Sequence, residues 1–393
     1  MIHSKYTIRE NNEAIILNAI ISQKEISRAE LSVLTGLNKA SVSAISKKLL
    51  DDQLIHEDRI GDAARIGGRK PIMLTFNGKA ALTLSLDVAP NYVEGLIAYI
   101  DGKVLYESEI RGIKVSSANV LDYITEMVEK LTQHAVETPH GITGLCVAIH
   151  GLVNQEEIIF TPNYTLQSDL KAQLEEIYPF YVYLENEANL AALGEYTFGS
   201  ISDSVVSLSI HTGIGAGIVE NGKLRIGKTG KAGEIGHSIL YPDGRRCPCG
   251  NDGCLEQYAS HQALYSELEQ TLALPDINSS LVIERYKKGD PVFQNALRTN
   301  AHYLSIAVNN LAVIYEPDLV VINSSIYSQI PELINILKGD LKGKFSCETS
   351  VVSSSLRRKA TLFGGVAKST QNFLNIQNLK MNPELFMLPK NLT

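Results

Sequence analysis

The chain of 393 residues is too long for one small core and should hold two or three domains. Its net charge of −7 argues against a molecule devoted wholly to nucleic acid. However, residues 1–80 hold 12 Lys and Arg against 9 Asp and Glu, whereas the remainder holds 24 against 34. A mildly basic N-terminal segment on an acidic body is typical of a DNA-binding module attached to a sensor or an enzyme. The sequence shows no secretory signal and no long apolar run, which predicts a cytoplasmic protein without a membrane partner.

The first 80 residues have the pattern of a winged helix-turn-helix. Hydrophobic spacing predicts three helices and two strands, over 11–22, 29–35, 39–50, 54–57 and 72–74. Ser27 begins the second helix with an S-x-x-E capping box, Gly36 provides the tight turn, and Asn38 caps the third helix. The basic, glycine-rich loop between the two strands is typical of a wing that enters the minor groove. We therefore expect a first domain over 1–80 and a body over 81–393.

The third helix and the wing carry the side chains expected to contact DNA. Short hydroxyls and cations suit base edges and phosphates. The candidate DNA-binding residues are Lys39, Ser41, Ser43, Lys47, Arg65, Arg69 and Lys70. The alternative is a three-helix packing module whose lysines are merely solvated. The capped second helix, the glycine turn and the Gly-Gly-Arg hairpin together favour DNA binding.

From residue 81 the pattern alternates between strands and helices, as in an α/β protein made of two halves. Strands are predicted over 82–88, 92–100, 104–110, 144–149, 181–185, 205–211, 215–220, 223–226 and 319–323, and helices over 120–133, 187–196 and 291–315. The turn at Asp101-Gly102 makes the first strands an antiparallel meander. A cleft between two such halves is the usual place for a ligand.

The densest chemical signal lies between residues 237 and 256. Three of the five cysteines fall within eight residues, and a histidine lies ten residues before the first of them. The candidate metal ligands are His237, Cys247, Cys249 and Cys254. One imidazole and three thiolates make a complete tetrahedral set for a structural zinc ion. A chance cluster, or a disulfide with one thiol left over, is the alternative, but disulfides are rare in the cytosol. Cys146 and Cys347 are expected to be buried thiols and not ligands.

Residues 210–237 read IHTGIGAGIVENGKLRIGKTGKAGEIGH, and residues 247–256 read CPCGNDGCLE. These fixed gaps between glycines, histidine and cysteines resemble the signature of the ROK family, which joins repressors, open reading frames and sugar kinases. The resemblance covers most of residues 80–370. It implies an α/β fold in which the winged helix-turn-helix precedes a two-lobed actin-like ATPase body of the ribonuclease H-like type, with a zinc loop near 237–256.

The resemblance also implies a monosaccharide site. The residues that match the family's sugar-binding positions are Gly151, Asn163, Asn186, Glu187, Glu234, His237 and Glu256. Carboxylates accept hydrogen bonds from adjacent sugar hydroxyls, and amides both donate and accept. His237 would bind zinc through one ring nitrogen and offer the other to the sugar side. Each glutamate taken singly could be a solvated surface acid, but their shared match to the signature favours a site.

Three segments depart from the kinase pattern of the family. Residues 87–91 read DVAPN where kinases have Asp-x-Gly-Gly-Thr, and residues 321–325 read VINSS where kinases end in Gly-Gly. Side chains replace the phosphate-binding glycines, and Pro90 has no N–H to donate. Glu187 replaces the catalytic aspartate and is one methylene longer, which should harm catalysis more than binding. We therefore expect no ATP binding and no enzymatic activity, with Glu187 a vestigial base position.

The segments LNKASVS, GGRKPIML and LSLDVAPNYVEG are most similar to sugar-responsive repressors of the family. This resemblance implies an operator-binding repressor that a monosaccharide releases, with D-xylose as the favoured effector and xylose-utilisation genes as targets. Two DNA-binding heads that read a palindrome imply a homodimer or a larger homo-oligomer. The alternative is a ROK-type sugar kinase with an added N-terminal domain. A third possibility is a sugar-sensing activator or co-regulator anchored to a protein partner.

Overall fold

A computed structural model of the chain describes residues 8–60 and 71–381. These residues form two compact units. The first unit holds residues 8–60, 71–148, 162–184 and 365–381, and the second holds residues 149–161 and 185–364. Within the described ranges, none of the helices has both the length and the apolar character needed to cross a membrane.

The N-terminal part of the first unit, residues 8–60 and 71–76, is called the head. Its elements are α1 (Ile8–Gln23), β1 (Glu25–Ser27), α2 (Arg28–Thr35), α3 (Lys39–Asp51), β2 (Ile55–Ile60) and β3 (Ile72–Phe76). The strands form an antiparallel sheet in the order β1-β3-β2. The three predicted helices are confirmed within three residues at each end. The sequence pattern missed β1, because three residues are too few to show a period.

Local caps explain where the helices of the head begin and end. The Ser27 hydroxyl accepts from the Glu30 N–H at 3.3 Å, and the Glu30 carboxylate accepts from the Ser27 N–H at 2.9 Å. Gly36 ends α2 in the left-handed region at φ +71°, where glycine has no steric penalty. Asn38 then accepts from the Ser41 N–H at 2.9 Å. The buried side chains that join the three helices and the sheet include Ile16, Ile20, Leu31, Val42, Leu49, Ile55 and Leu74.

A five-stranded sheet follows the head. The elements from residue 82 to residue 186 are β4 (Leu82–Val88), β5 (Tyr92–Tyr99), β6 (Val104–Arg111), α4 (Val120–Thr132), β7 (Ile142–Ile149), β8 (Leu152–Asn154), β9 (Glu157–Phe160), α5 (Leu170–Ile177) and β10 (Tyr181–Asn186). The sheet order is β10-β7-β4-β5-β6, and β4, β5 and β6 are the predicted antiparallel meander. All seven residues of β4 are buried, as expected of a strand near the middle of a covered sheet.

The second unit is built around another five-stranded sheet. The helices and strands from residue 187 onwards are α6 (Glu187–Gly194), β11 (Ser204–Ile210), β12 (Ile214–Glu220), β13 (Lys223–Leu224), α7 (Glu256–Ala259), α8 (His261–Leu272), α9 (Ser279–Lys287), α10 (Pro291–Tyr315), β14 (Leu319–Asn323), α11 (Ser325–Gln329), α12 (Glu332–Asp340), β15 (Val351–Ser353) and α13 (Ala360–Leu374). The part of α13 from residue 365 onwards belongs to the first unit. The sheet order is β13-β12-β11-β14-β15. Its hydrophobic core lies between this sheet and the long helix α10, where Leu304 and Leu311 are almost completely buried.

The predicted helix over 187–196 is only partly correct. The α-helical geometry ends at Gly194, and residues Glu195–Gly199 continue as one π-helical turn. Glu195 is 1 % exposed and accepts hydrogen bonds from the hydroxyls of Ser354 and Ser355, which lie after β15. These distant partners are absent from the local pattern, so the sequence did not reveal the change of helix type. Such turns are often found beside functional sites.

Candidate functional site

The cysteine loop, residues 238–255, is shaped by backbone hydrogen bonds and by glycine. It joins a 3₁₀ turn (Ile235–His237) to α7. The Leu240 N–H donates to the Gly253 carbonyl at 2.8 Å, and the Leu255 N–H donates to the Ser238 carbonyl at 2.8 Å. Gly253 has φ +79°, and a Cβ there would lie 1.6 Å from a backbone oxygen. Only glycine fits this crossing, which brings the two ends of the loop together.

The four predicted metal ligands are brought to one point. The ligand atoms of His237, Cys247, Cys249 and Cys254 all lie within 4.8 Å of one another. The Cys249 and Cys254 sulfurs are 3.6 Å apart, and His237 Nδ1 is 3.6 Å from the Cys247 sulfur. Tetrahedral zinc with ligands at about 2.3 Å requires sulfur–sulfur distances of about 3.8 Å. The geometry and the chemistry of these donors therefore fit a structural zinc ion.

Burial disfavours ionisation of two of the three clustered thiols, whereas a hydrogen bond from the Asn251 backbone lowers the pKa of the exposed Cys249. Burial raises the pKa of Cys247 to about 12 and raises the pKa of Cys254 as well. Three clustered thiolates without a cation would carry an uncompensated charge. Zinc would hold them as thiolates and fix the loop.

Of the two cysteines outside the cluster, Cys146 is buried as predicted. The prediction that Cys347 is buried is wrong, because it is exposed in the irregular segment after α12.

Glu256 links the metal ligands to the neighbouring loop over residues 211–213. Its Oε1 atom is 3.5 Å from His237 Nδ1 and 3.3 Å from the Cys247 sulfur. Its Oε2 atom lies 3.0 Å from the position that a Cβ on Gly213 would take. The carboxylate is 17 % exposed, so it is held by the protein and still reachable.

His237 presents its two ring nitrogens to different partners. Nδ1 faces Cys247, and Nε2 is 4.0 Å from Glu234 Oε2. Desolvation by the surrounding protein raises the pKa of Glu234, an effect that the neighbouring His237 opposes, although the side chain is still 41 % exposed. This orientation would let Nδ1 bind a metal while Nε2 faces Glu234, and the contact of Nε2 with a sugar stays a prediction.

Hydrogen bonds of the Asn186 side chain cap the N-terminus of α6 and connect it to Gly151. The Asn186 side chain donates to the Gly151 carbonyl at 2.7 Å and accepts from the Asn189 N–H at 3.1 Å. A Cβ on Gly151 would lie 2.3 Å from a backbone oxygen of β9. Asn186 is therefore engaged in orienting Glu187, the first residue of α6.

Glu187 is buried, with 9 % of its surface exposed, and faces two side chains that sequence analysis did not select. The Thr361 hydroxyl donates to its Oε1 at 3.5 Å, and His211 Nε2 lies 3.6 Å from the same atom. No short-range pattern joins these positions, which are up to 174 residues apart.

Asn163, the remaining predicted sugar ligand, is exposed and belongs to the first unit, whereas the other six belong to the second.

The segments that differ from the kinase pattern have structural roles. Asp87 is 4 % exposed and accepts from the Tyr92 hydroxyl at 3.0 Å. The Ser324 hydroxyl forms a hydrogen bond of 2.9 Å with Nε2 of the buried His261. Burial is the main cause that lowers the pKa of His261 to about 3, and the nearby His211 lowers it further.

The candidate DNA-binding residues of α3 divide into two groups. Lys39, Ser43 and Lys47 are exposed, whereas Ser41 is partly buried at the capped start of the helix. Lys48, which also lies on this helix, is paired with Glu13 at 2.5 Å. The predicted wing residues Arg65, Arg69 and Lys70 lie outside the described ranges.

Comparison with known proteins places these features in context. Residues 83–371 match the ROK family. A xylose repressor of Bacillus subtilis is 32 % identical over 381 residues, which cover 94 % of this chain and 97 % of the repressor. A crystal structure of a ROK family transcriptional regulator, a homologue of the Escherichia coli MLC protein, superposes with a TM-score of 0.80 at 26 % identity and covers 94 % of this chain and 99 % of its own. A ROK family glucokinase from Streptomyces griseus, in complex with glucose and AMPPNP, has a TM-score of 0.66 at 26 % identity and covers 74 % of this chain and 99 % of its own.

Proposed function

Because the chain belongs to the ROK family, we propose that it is a transcriptional repressor that releases its operator when it binds a monosaccharide. One observation carries this proposal. The xylose repressor and the ROK regulator each align with 94 % of the chain, whereas the glucokinase aligns with 74 %. The head lies before residue 83, where the ROK match begins. The repressor relatives therefore account for the head, which a sugar kinase does not need.

We propose that the head binds DNA through α3 and the wing. Lys39, Ser43 and Lys47 supply exposed cations and a hydroxyl on one helix, which suits phosphates and base edges. Arg65, Arg69 and Lys70 would extend this contact from the wing. A homodimer would place two heads on one palindromic operator.

D-xylose is the proposed effector, and genes of xylose utilisation are the proposed targets. The supporting evidence is the similarity to xylose repressors, 32 % for the Bacillus subtilis protein and 29 % for that of Staphylococcus xylosus. Glu187, Glu234 and Glu256, all in the second unit, offer acceptors for sugar hydroxyls. Zinc bound by the four clustered ligands would keep His237 and Glu256 in place.

We further propose that the protein is not an enzyme. Asp87 and Ser324 are engaged by Tyr92 and His261, and neither phosphate-binding segment keeps its glycines. The alternative is a ROK sugar kinase with an added head. Two observations support this alternative: the similarity to a glucokinase and the carboxylate of Glu187, which could act as a base. A kinase would release ADP in a sugar-dependent reaction that Glu187→Gln abolishes. Absence of turnover at millimolar ATP would remove that alternative.

The deciding experiment is binding of the purified protein to DNA from its own upstream intergenic region. We expect tight binding that millimolar D-xylose abolishes and D-glucose does not, because an effector must bind the DNA-incompetent state more tightly. Binding that no monosaccharide affects would contradict the effector assignment. Lack of binding at low salt, where phosphate contacts are strongest, would contradict the repressor itself.

A further inference from the structure

We propose that His211 is a direct ligand of the effector sugar and forms, with Glu187, a donor–acceptor pair around one sugar hydroxyl. This inference rests on the proposed function, because it concerns the same site in the second unit. His211 was absent from the residues selected by sequence, where it closed a predicted strand. The structure ends β11 at Ile210, which leaves His211 as the first residue of the loop that leads to β12.

The backbone N–H and the backbone carbonyl of His211 are both hydrogen-bonded. Its N–H donates to the Gly213 carbonyl at 3.0 Å, and its carbonyl accepts from the His261 N–H at 2.9 Å. Its ring also meets the ring of His261 edge to face, with centroids 6.2 Å apart and planes at 89°. His261 itself is buried and bonded to Ser324. The His211 ring therefore projects from a loop that is fixed before a ligand arrives, which lowers the entropic cost of binding.

The spacing of His211 and Glu187 lets one hydroxyl group, placed beside the pair on its exposed side, bond to both side chains. His211 Nε2 lies 3.6 Å from Glu187 Oε1, which is longer than a hydrogen bond. The histidine side chain is 47 % exposed and the glutamate side chain is 12 % exposed, so a ligand reaches the pair from the histidine side. In the tautomer protonated at Nε2, the imidazole donates to a hydroxyl oxygen while that hydroxyl donates to the carboxylate. A sugar hydroxyl is both donor and acceptor, and it satisfies the two residues at once.

The loop that carries His211 also reaches the second proposed sugar carboxylate. Gly213 lies two residues after His211. A Cβ atom added to Gly213 would lie 3.0 Å from Glu256 Oε2, so this glycine lies directly beside that carboxylate. Residues 211–213 therefore lie beside Glu187 at one end and beside Glu256 at the other. A pyranose whose adjacent hydroxyls bind these carboxylates would lie against this loop, within reach of the imidazole.

An ion pair that only stabilises the fold is a weaker explanation of the contact. A partly exposed pair at 3.6 Å contributes little to stability, and its histidine is half exposed. A structural pair of this kind exists elsewhere in the second unit, between His302 and Asp340 at 3.2 Å. That pair provides a matched control, since it has a histidine beside a carboxylate but lies on the helices α10 and α12.

The test is calorimetric titration of the full-length protein with D-xylose. We expect His211→Ala to weaken D-xylose binding about tenfold, the effect of one hydrogen bond between polar groups, with operator binding in the absence of sugar unchanged. His211→Gln, whose amide N–H can replace the Nε2 donor, should recover most of the affinity. His302→Ala should bind D-xylose as the wild type does. Equal D-xylose affinity in wild type and His211→Ala would overturn the inference.

Deoxy sugars separate a direct contact from an indirect one. Among the four monodeoxy derivatives of D-xylose, one should lose about tenfold less affinity in His211→Ala than in the wild type, because the variant keeps only the Glu187 contact to the missing hydroxyl. If every deoxy sugar loses the same factor in both proteins, His211 is not a ligand. Failure of the wild type to bind any monosaccharide would instead contradict the proposed function, so the two failures are distinguishable.

Discussion

The head and the cysteine loop reach their shapes by opposite means. The head has three helices, two of them with side-chain caps at their N-termini, and a buried core in which Ile16, Ile20 and Leu31 have no exposed surface. The cysteine loop contains no helix and no strand, and its sides are joined by two isolated bridges, Ile239 to Cys254 and Arg246 to Asp252, and by single backbone hydrogen bonds. Hydrophobic burial stabilises the first region, whereas glycine conformations and clustered metal ligands shape the second.

This difference indicates which perturbations each region should resist. The head should keep its structure when metal is removed, because no predicted metal ligand lies in it. The cysteine loop should loosen around His237, Cys247, Cys249 and Cys254, because these four side chains converge at one point where an ion would join them. Metal, pH and point mutations can therefore separate sugar binding from DNA binding.

The largest expected effect follows from breaking the metal site. Cys249→Ser should reduce zinc from about one ion per chain to a small fraction and weaken D-xylose binding about a hundredfold, since support for His237 and Glu256 is lost. Metal analysis and calorimetry measure both effects. Cys347→Ser is the control, because that cysteine is exposed and outside the cluster. Stoichiometric zinc in Cys249→Ser would refute the assignment of this ligand.

A buried acid should make the second unit less stable as the pH rises from 4.5 to about 7. Burial raises the pKa of Glu195 to about 7, against an ordinary value of 4.5. The folded state therefore favours the protonated form, and the stabilisation present below pH 4.5 is lost as the pH rises through 7. Glu195→Gln should remove up to about 3 kcal/mol of this pH dependence.

Denaturant unfolding of wild type and Glu195→Gln at pH 5 and pH 8 measures this effect. The quantity of interest is the difference between the two proteins at each pH, since other groups titrate equally in both. Glu220→Gln is a suitable control, because that glutamate is exposed at the end of β12. An identical pH dependence in wild type and Glu195→Gln would show that Glu195 is already ionised in the folded protein.

Glu256 tests whether the sugar response can be lost without loss of DNA binding. Glu256→Ala should weaken D-xylose binding about thirtyfold, because a hydrogen bond to a carboxylate contributes about 2 kcal/mol. Operator affinity should stay unchanged, so a reporter gene should be repressed with and without the sugar. Glu284→Ala, which changes an exposed glutamate paired with Lys288, should remain inducible. Normal induction of Glu256→Ala would remove Glu256 from the site.

The smallest expected effect belongs to a single phosphate contact in the head. Lys47→Ala should weaken operator binding about threefold and lower the slope of log affinity against log salt by about one. D-xylose affinity should not change. Lys342→Ala, an exposed lysine of the second unit, provides the comparison. A salt dependence identical to that of the wild type would exclude Lys47 from the DNA interface.

Much of the head could be predicted because its signals act over three or four residues. The Ser27–Glu30 capping box, the glycine turn and the apolar spacing are all readable locally, and the helices lie where they indicate. The cluster of possible metal ligands was also predictable, since three of its four residues lie within eight residues of sequence. The π-helical turn at Glu195 was not, because its partners Ser354 and Ser355 are about 160 residues away.

The sequence by itself determined the ligand types, the caps, the alternation of strands and helices, and the family to which the chain belongs. Only the tertiary structure decided which distant side chains meet: His211 and Thr361 at Glu187, and Glu256 beside Cys247. It also decided that Cys347 is exposed and that Asn186 is engaged at the start of α6. The physical reason is that hydrogen bonding and periodicity act locally along the chain, whereas the neighbours of a side chain depend on how sheets and helices pack.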